Sequence, residues 1–109
     1  MPNIYQPGLV GEALTGSGQF NTQLTGAQLQ AGTVVKGAAG RLSAVLVTVV
    51  TNAVITIYDN ASTASGNIVG YIPSGATAGT LYQFGMPCAA GIYVGASASQ
   101  SGQITISFV

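Results

Sequence analysis

Charge is what this chain most lacks: of 109 residues two are basic and two acidic, with formal net charge +0, and there is no histidine and no tryptophan. Each absence removes a class of function. Nucleic-acid binding depends on many Lys and Arg side chains neutralising phosphates, so Lys36 and Arg41 alone exclude it as a partner. Without histidine no Ser-His-Asp or Cys-His arrangement can be assembled within the chain. Glycoside hydrolysis needs two carboxylates around the scissile bond, and the available pair, Glu12 and Asp59, lies far apart in sequence. The chain is therefore not expected to be an enzyme. Cysteine is equally scarce: Cys88 stands alone, which rules out an internal disulfide and makes a small buried hydrophobe its expected role. Zinc lacks its usual Cys and His ligands and calcium its several carboxylates, so neither a metal nor any other cofactor is expected. The N-terminus Met-Pro-Asn-Ile-Tyr-Gln-Pro-Gly has neither the basic start nor the apolar core of a secretory signal, so export by the general route is not expected.

Scarcity of charge also leaves one long uncharged run, Leu42 to Tyr58. Its length approaches the roughly twenty residues of a membrane-crossing helix. Its residue types favour strands, because Val45, Val47, Val49 and Val50, then Val54, Ile55 and Ile57, are β-branched, which costs rotamer freedom in a helix and suits a pleated surface. Thr51-Asn52 interrupts the run and reads as the turn of a hairpin. No membrane partner is expected, since a basic amphipathic segment is also missing.

What is present is a regular alternation of short apolar runs with Gly, Pro, Ser and Asn breaks. Seven strands are predicted, over 33–36, 41–50, 53–58, 67–72, 80–84, 91–94 and 103–109. Ile104, Ile106 and Phe108 share one face and Thr105 and Ser107 the other, which is the pattern of a half-buried strand. In Thr80 to Phe84 the inward face is ambiguous, whereas Val45, Val47 and Val49 face away from Leu46, Thr48 and Val50, which suggests burial on both sides. The fold class follows: all-β, an antiparallel β-sandwich, jelly-roll-like, over residues 33–109.

Residues 1–32 carry Pro2, Pro7, several glycines and isolated apolar side chains without a period, and read as an extended N-terminal arm. Thr25-Gly-Ala-Gln28 loosely matches a capping box before Leu29, with Gly26 and Gly32 leaving room for about one helical turn. Asp59-Asn60 reads as a turn, its short polar side chains bonding nearby backbone. Asn60-Ala-Ser62 matches a glycosylation acceptor, a pattern common by chance. Tyr58, Tyr71, Tyr82 and Tyr93 are candidates for a sugar-stacking face, and more plainly for the edge of the core or a subunit contact. A surface with so few charges has no long-range repulsion between copies, so the protein is expected to live assembled, as a homo-oligomer or on a larger particle. Candidate contact residues are Ile4, Tyr5, Leu9, Val10 and Phe20 in the arm, with Lys36 and Arg41 flanking Gly37-Ala-Ala-Gly40.

Val34-Val-Lys-Gly-Ala-Ala-Gly-Arg-Leu42, Ile57-Tyr-Asp-Asn60, Gly66-Asn67, Ile72-Pro73 and Met86-Pro-Cys-Ala-Ala-Gly-Ile92 resemble segments of small virion proteins encoded among tailed-phage head genes. The resemblance covers roughly 33–109 and leaves the arm outside. It implies a capsid decoration, or cement, protein: a β-sandwich that sits as a trimer on the major capsid protein where capsomers meet, made in the host cytoplasm and located on the virion surface. It implies no catalytic residue. The competing expectation is a receptor- or glycan-binding module of a tail fibre or spike.

Overall fold

A computed structural model describes residues 20–109. Among these residues eight strands and one short helix follow in the order β1 (Phe20–Leu24), α1 (Gly26–Ala31), β2 (Thr33–Lys36), β3 (Gly40–Val49), β4 (Ile55–Asp59), β5 (Asn67–Ile72), β6 (Leu81–Cys88), β7 (Ile92–Ala96) and β8 (Gln103–Phe108). They build two four-stranded sheets, β1-β8-β3-β6 and β2-β7-β4-β5, with all neighbours antiparallel. The expected all-β sandwich is what forms. Only β4 and β5 are consecutive strands paired in one sheet; every other connection carries the chain across to the opposite sheet, and the first and last described strands end side by side.

The core follows from the period of two. Val45, Val47, Ile104 and Ile106 from the first sheet meet Ile55, Ile57, Ile92 and Val94 from the second, all fully buried. Each such side chain contributes about 1.5–3 kcal/mol relative to exposure. Gly70 lets the layers close: a Cβ there would come within 2.9 Å of Ile57 Cδ1 and 3.0 Å of Leu42 Cδ2, so the missing side chain makes room for a Leu and an Ile from opposite sheets.

The uncharged run does not form a hairpin. Its two halves are β3 and β4, which belong to different sheets: β3 pairs with β8 and β6, and β4 with β7 and β5. Residues 50–54 are a corner between layers, and Thr51 pins it. Thr51 Oγ1 donates to the Pro73 carbonyl at 2.8 Å and accepts from Ala76 N–H at 2.9 Å, while its backbone exchanges bonds with Ala76 and Gly75. Buried Gln100 closes the other side: its Nε2 donates to the Ala53 carbonyl, and its Oε1 accepts from the N–H groups of Asn52 and Gly102. A hairpin turn needs none of these distant partners, whereas a corner buried between sheets must satisfy every polar group it carries.

Three further expectations change. Val49 does not share the buried face of Val45 and Val47, because the ladder to β8 slips between Val47 and Val49 and a bulge turns Val49 outward, 39% exposed. Burial on both sides of β3 is likewise not what forms, since Leu46 is also exposed. Gly85-Met-Pro-Cys88 is not a break. β6 runs through it as an edge strand, where proline costs no ladder bond to a further neighbour, and Gly85, with φ of 60°, takes the extra residue of a bulge opposite Leu42 to Ala44. The ambiguous face of this strand resolves with Tyr82 and Phe84 against the core and Leu81 and Gln83 outside.

The boundary at residue 32 also moves. Phe20 to Ala31, assigned by sequence to the arm, form β1 and α1, and Leu24 and Leu29 enter the core at 2% and 0% exposure. The Thr25 capping box forms in full, and Gly32, with φ of 85°, ends the helix after a turn and a half. A strand and helix so short carry too few apolar positions for a period to show. The rest of the arm, residues 1–19, lies outside the described residues.

Candidate functional site

Of the predicted contact residues, Ile4, Tyr5, Leu9 and Val10 lie outside the described residues. Phe20, Lys36 and Arg41 come together at one end of the sandwich. Phe20 is 54% exposed, and its ring lies tilted against Phe108, centroids 5.8 Å apart. Arg41 exchanges backbone bonds with Val109, and its Nη1 donates to the Gly85 carbonyl at 2.7 Å, so it stabilises the β6 bulge. The Lys36 stem lies over Gly40, where an added Cβ would meet Lys36 Cδ at 2.9 Å. Lys36 and Arg41 thus flank a connection between sheets, on β2 and β3.

The carboxylate at this end is occupied. Asp59 ends β4, and its carboxylate accepts N–H bonds from Ala89 at 2.9 Å, Ala90 at 2.8 Å and Gly91 at 3.3 Å, fastening the β6–β7 turn to the C-terminal end of β4. Those bonds, from Ala90 first and then Ala89, hold its carboxyl below the usual range. A carboxylate stabilised in this way is a weak base. Asn60 organises the loop that follows: its Oδ1 accepts from Ser62 and Thr63 N–H, and its Nδ2 donates to the Ser65 carbonyl. Cys88 is buried, and burial pushes its thiol pKa up, so it is a poor nucleophile. Among the described residues no three His, Cys, Asp or Glu side chains gather as a metal site, and no helix is long and apolar enough to cross a membrane.

What stands out is on the outside of the second sheet. Register places Val34 beside Tyr93, Tyr93 beside Tyr58, and Tyr58 beside Ile68, a row of four apolar or aromatic side chains across all four strands. Tyr71, 54% exposed, stands two pairs along the β4–β5 ladder, beside Thr56. Side chains directly opposite in an antiparallel pair lie about 4.5–5.5 Å apart at Cβ, close enough for the row to form one surface. Tyr58, Tyr71 and Tyr93 therefore share this face, whereas Tyr82 lies on the inner side of the other sheet, stacked on Phe84 at 6.5 Å. The outside of the first sheet is of another kind: Gln23, whose Nε2 donates a 3.1 Å hydrogen bond to Gln103 Oε1, with Thr105, Ser107 and Gln83, and with Leu46 beside Leu81 at its far edge.

Sequence reasoning named the tyrosines but missed Val34 and Ile68. The ladders slip next to both, between Val34 and Lys36 on β2 and beside Val69 on β5. Strict alternation cannot say which side such residues take; a β-branched residue beside an aromatic-bearing strand was the only available hint.

No protein-family model matches the chain, and no curated protein or solved structure matches it either.

Proposed function

We propose that this is a structural virion protein that decorates and stabilises the capsid of a tailed phage, bridging coat subunits as an oligomer. The observation that carries this reading is the Val34, Tyr93, Tyr58, Ile68 row, an uncharged face crossing a whole sheet beside a chain with almost no titratable chemistry. Contiguous exposed apolar surface on a small protein marks an interaction site, and aromatic residues are the side chains that interface cores favour. The strand order, with the described strands passing from sheet to sheet and the first and last of them side by side, we read as a jelly roll, an architecture found in viral capsid domains and in lectins alike. Fold by itself does not choose between these. The lack of charge favours the capsid, where a stable contact of about 1,200–2,000 Å² is made once and kept. The major capsid protein is then the partner, and the site of action is the outer surface of the virion.

The test is mass spectrometry of purified particles, followed by adding the protein to shells that lack it. Decorated shells should contain the protein in proportion to their coat subunits, and its complete absence from virions would sink the reading. The grouping of Tyr58, Tyr71 and Tyr93 on one face favours a second reading, a glycan- or receptor-binding module of a tail fibre or spike, since aromatic rings stack on sugars. That reading predicts few copies confined to the tail, and oligosaccharide binding that Tyr71→Ala abolishes.

A further inference from the structure

The geometry points to the outer edge of β1, which no other described strand covers, as the place where two copies of this chain pair, antiparallel about Thr22, so that their sheets join. A two-sheet sandwich has four edge strands, here β1 and β6 on one sheet, β2 and β5 on the other. Exposed edges are hazards that proteins blunt with bulges, prolines and charges. Three of these edges are blunted. β6 carries the Gly85 bulge and Pro87, β2 is a four-residue strand with a register slip and Lys36, and β5 slips beside Val69. β1 has none of these devices: it runs in unbroken register from Phe20 opposite Phe108 to Leu24 opposite Ile104, without charge or proline. Among the described residues no strand covers its outer edge.

The direction of the backbone groups follows from the far side of the sheet. Arg41 and Val109 exchange N–H to carbonyl bonds at 3.0 and 3.2 Å, so Val109 faces β3. Successive residues of a strand point their backbone groups to alternate sides, so Phe108, Ile106 and Ile104 face β1 and bond Phe20, Thr22 and Leu24. Asn21 and Gln23 are left with both N–H and C=O at the open edge. An antiparallel pair centred on Thr22 sets Asn21 of one copy opposite the second copy's Gln23, and satisfies all of these groups reciprocally. The same register brings exposed Phe20 opposite the second copy's Leu24. Thr25 ends the edge cleanly, because its N–H is taken by Gln28 Oε1 at 2.9 Å. Nothing electrostatic opposes two copies, as the formal net charge is +0. This contact has two-fold symmetry, unlike the trimer that the resemblance implies, and it does not depend on the capsid reading.

Sedimentation of the full chain over a concentration series tests it. The mass should rise from one chain to two, and Gln23→Pro, which removes an edge N–H but no bond to β8, should hold it at one chain throughout. Where Gln23→Pro fails to fold, the double variant Asn21→Lys with Gln23→Lys gives the same readout by placing four like charges at the contact. Amide exchange at Asn21 and Gln23 should slow as concentration rises. A chain that stays single, a trimer that neither variant alters, or Asn21 and Gln23 amides equally slow at every concentration would each overturn the inference, the last by giving the edge to residues 1–19. None of these outcomes bears on whether virions contain the protein.

Discussion

The two sheets of this sandwich are alike on the inside and different on the outside. Inner faces from both supply Val, Ile and Leu side chains at or near full burial, because a two-layer fold stands only if both layers exclude water. Folding makes no such demand on the outer faces. One of them is mostly Gln, Thr and Ser, with exposed Leu46 and Leu81 confined to its far edge, and the other bears a row from Val34 to Ile68 with Tyr58 and Tyr93 between, crossing every strand. A difference that stability does not require points to what the molecule touches.

The comparison breaks most violently at the shared interior. Ile57→Ala, at the centre of the second sheet, should lower stability by about 2–5 kcal/mol, and Val45→Ala in the first should also cost heavily, since each removes buried methyl groups and leaves a cavity. Denaturant unfolding checks both; a loss for one sheet only would mean that the layers are not equivalent. The corner that joins them comes next. Thr51→Val keeps the shape but strips the bonds to Pro73 and Ala76, and Gln100→Leu strips those to Ala53, Asn52 and Gly102, each with an expected cost of about 1–3 kcal/mol per buried group left unpaired.

Acid should have a smaller effect, confined to the end held by Asp59. Its folded pKa is depressed by the Ala90 and Ala89 N–H bonds, so its contribution is fully present above the unfolded value near about 4 and is lost as pH falls through the lower folded value. Melting temperature should be flat from pH 5 to about 8, drop below about pH 4, and drop less steeply in Asp59→Asn. A decline between pH 5 and 8 would contradict this, because no histidine is present to titrate there. Smallest of all are outer-face changes: Ile68→Ser and Thr105→Ala should each shift stability by no more than about 0.5 kcal/mol.

The parts of this architecture that were visible in the sequence are those decided within one strand. Ile104 and Ile106 alternate with Thr105 and Ser107 as written, and Thr25 to Gln28 announces its capping box. What stayed hidden is decided between strands. Nothing in Leu42 to Tyr58 says that its halves belong to different sheets, because that depends on Pro73, Ala76 and Gln100 arriving from elsewhere. Bulges hide the rest: one slip at Thr48 turns Val49 out of the core, and others lie beside Val34 and Ile68 in the outer row. The candidate site was half legible for the same reason, its tyrosines by type and its flanking aliphatics not at all.

The most direct test compares the outer faces for binding at equal stability. The protein, the pair variant Val34→Ser with Ile68→Ser at the exposed ends of the second-sheet row, and Thr105→Ala with Gln83→Ala on the first sheet would each be titrated onto phage shells lacking the protein, with bound copies counted by cosedimentation. The account predicts that the first-sheet variant binds like the unaltered chain, while the second-sheet variant, with an unchanged melting temperature, loses at least about tenfold in affinity, the equivalent of about 1.4 kcal/mol. Equal binding by all three would contradict the claim that the aromatic row is the contact face.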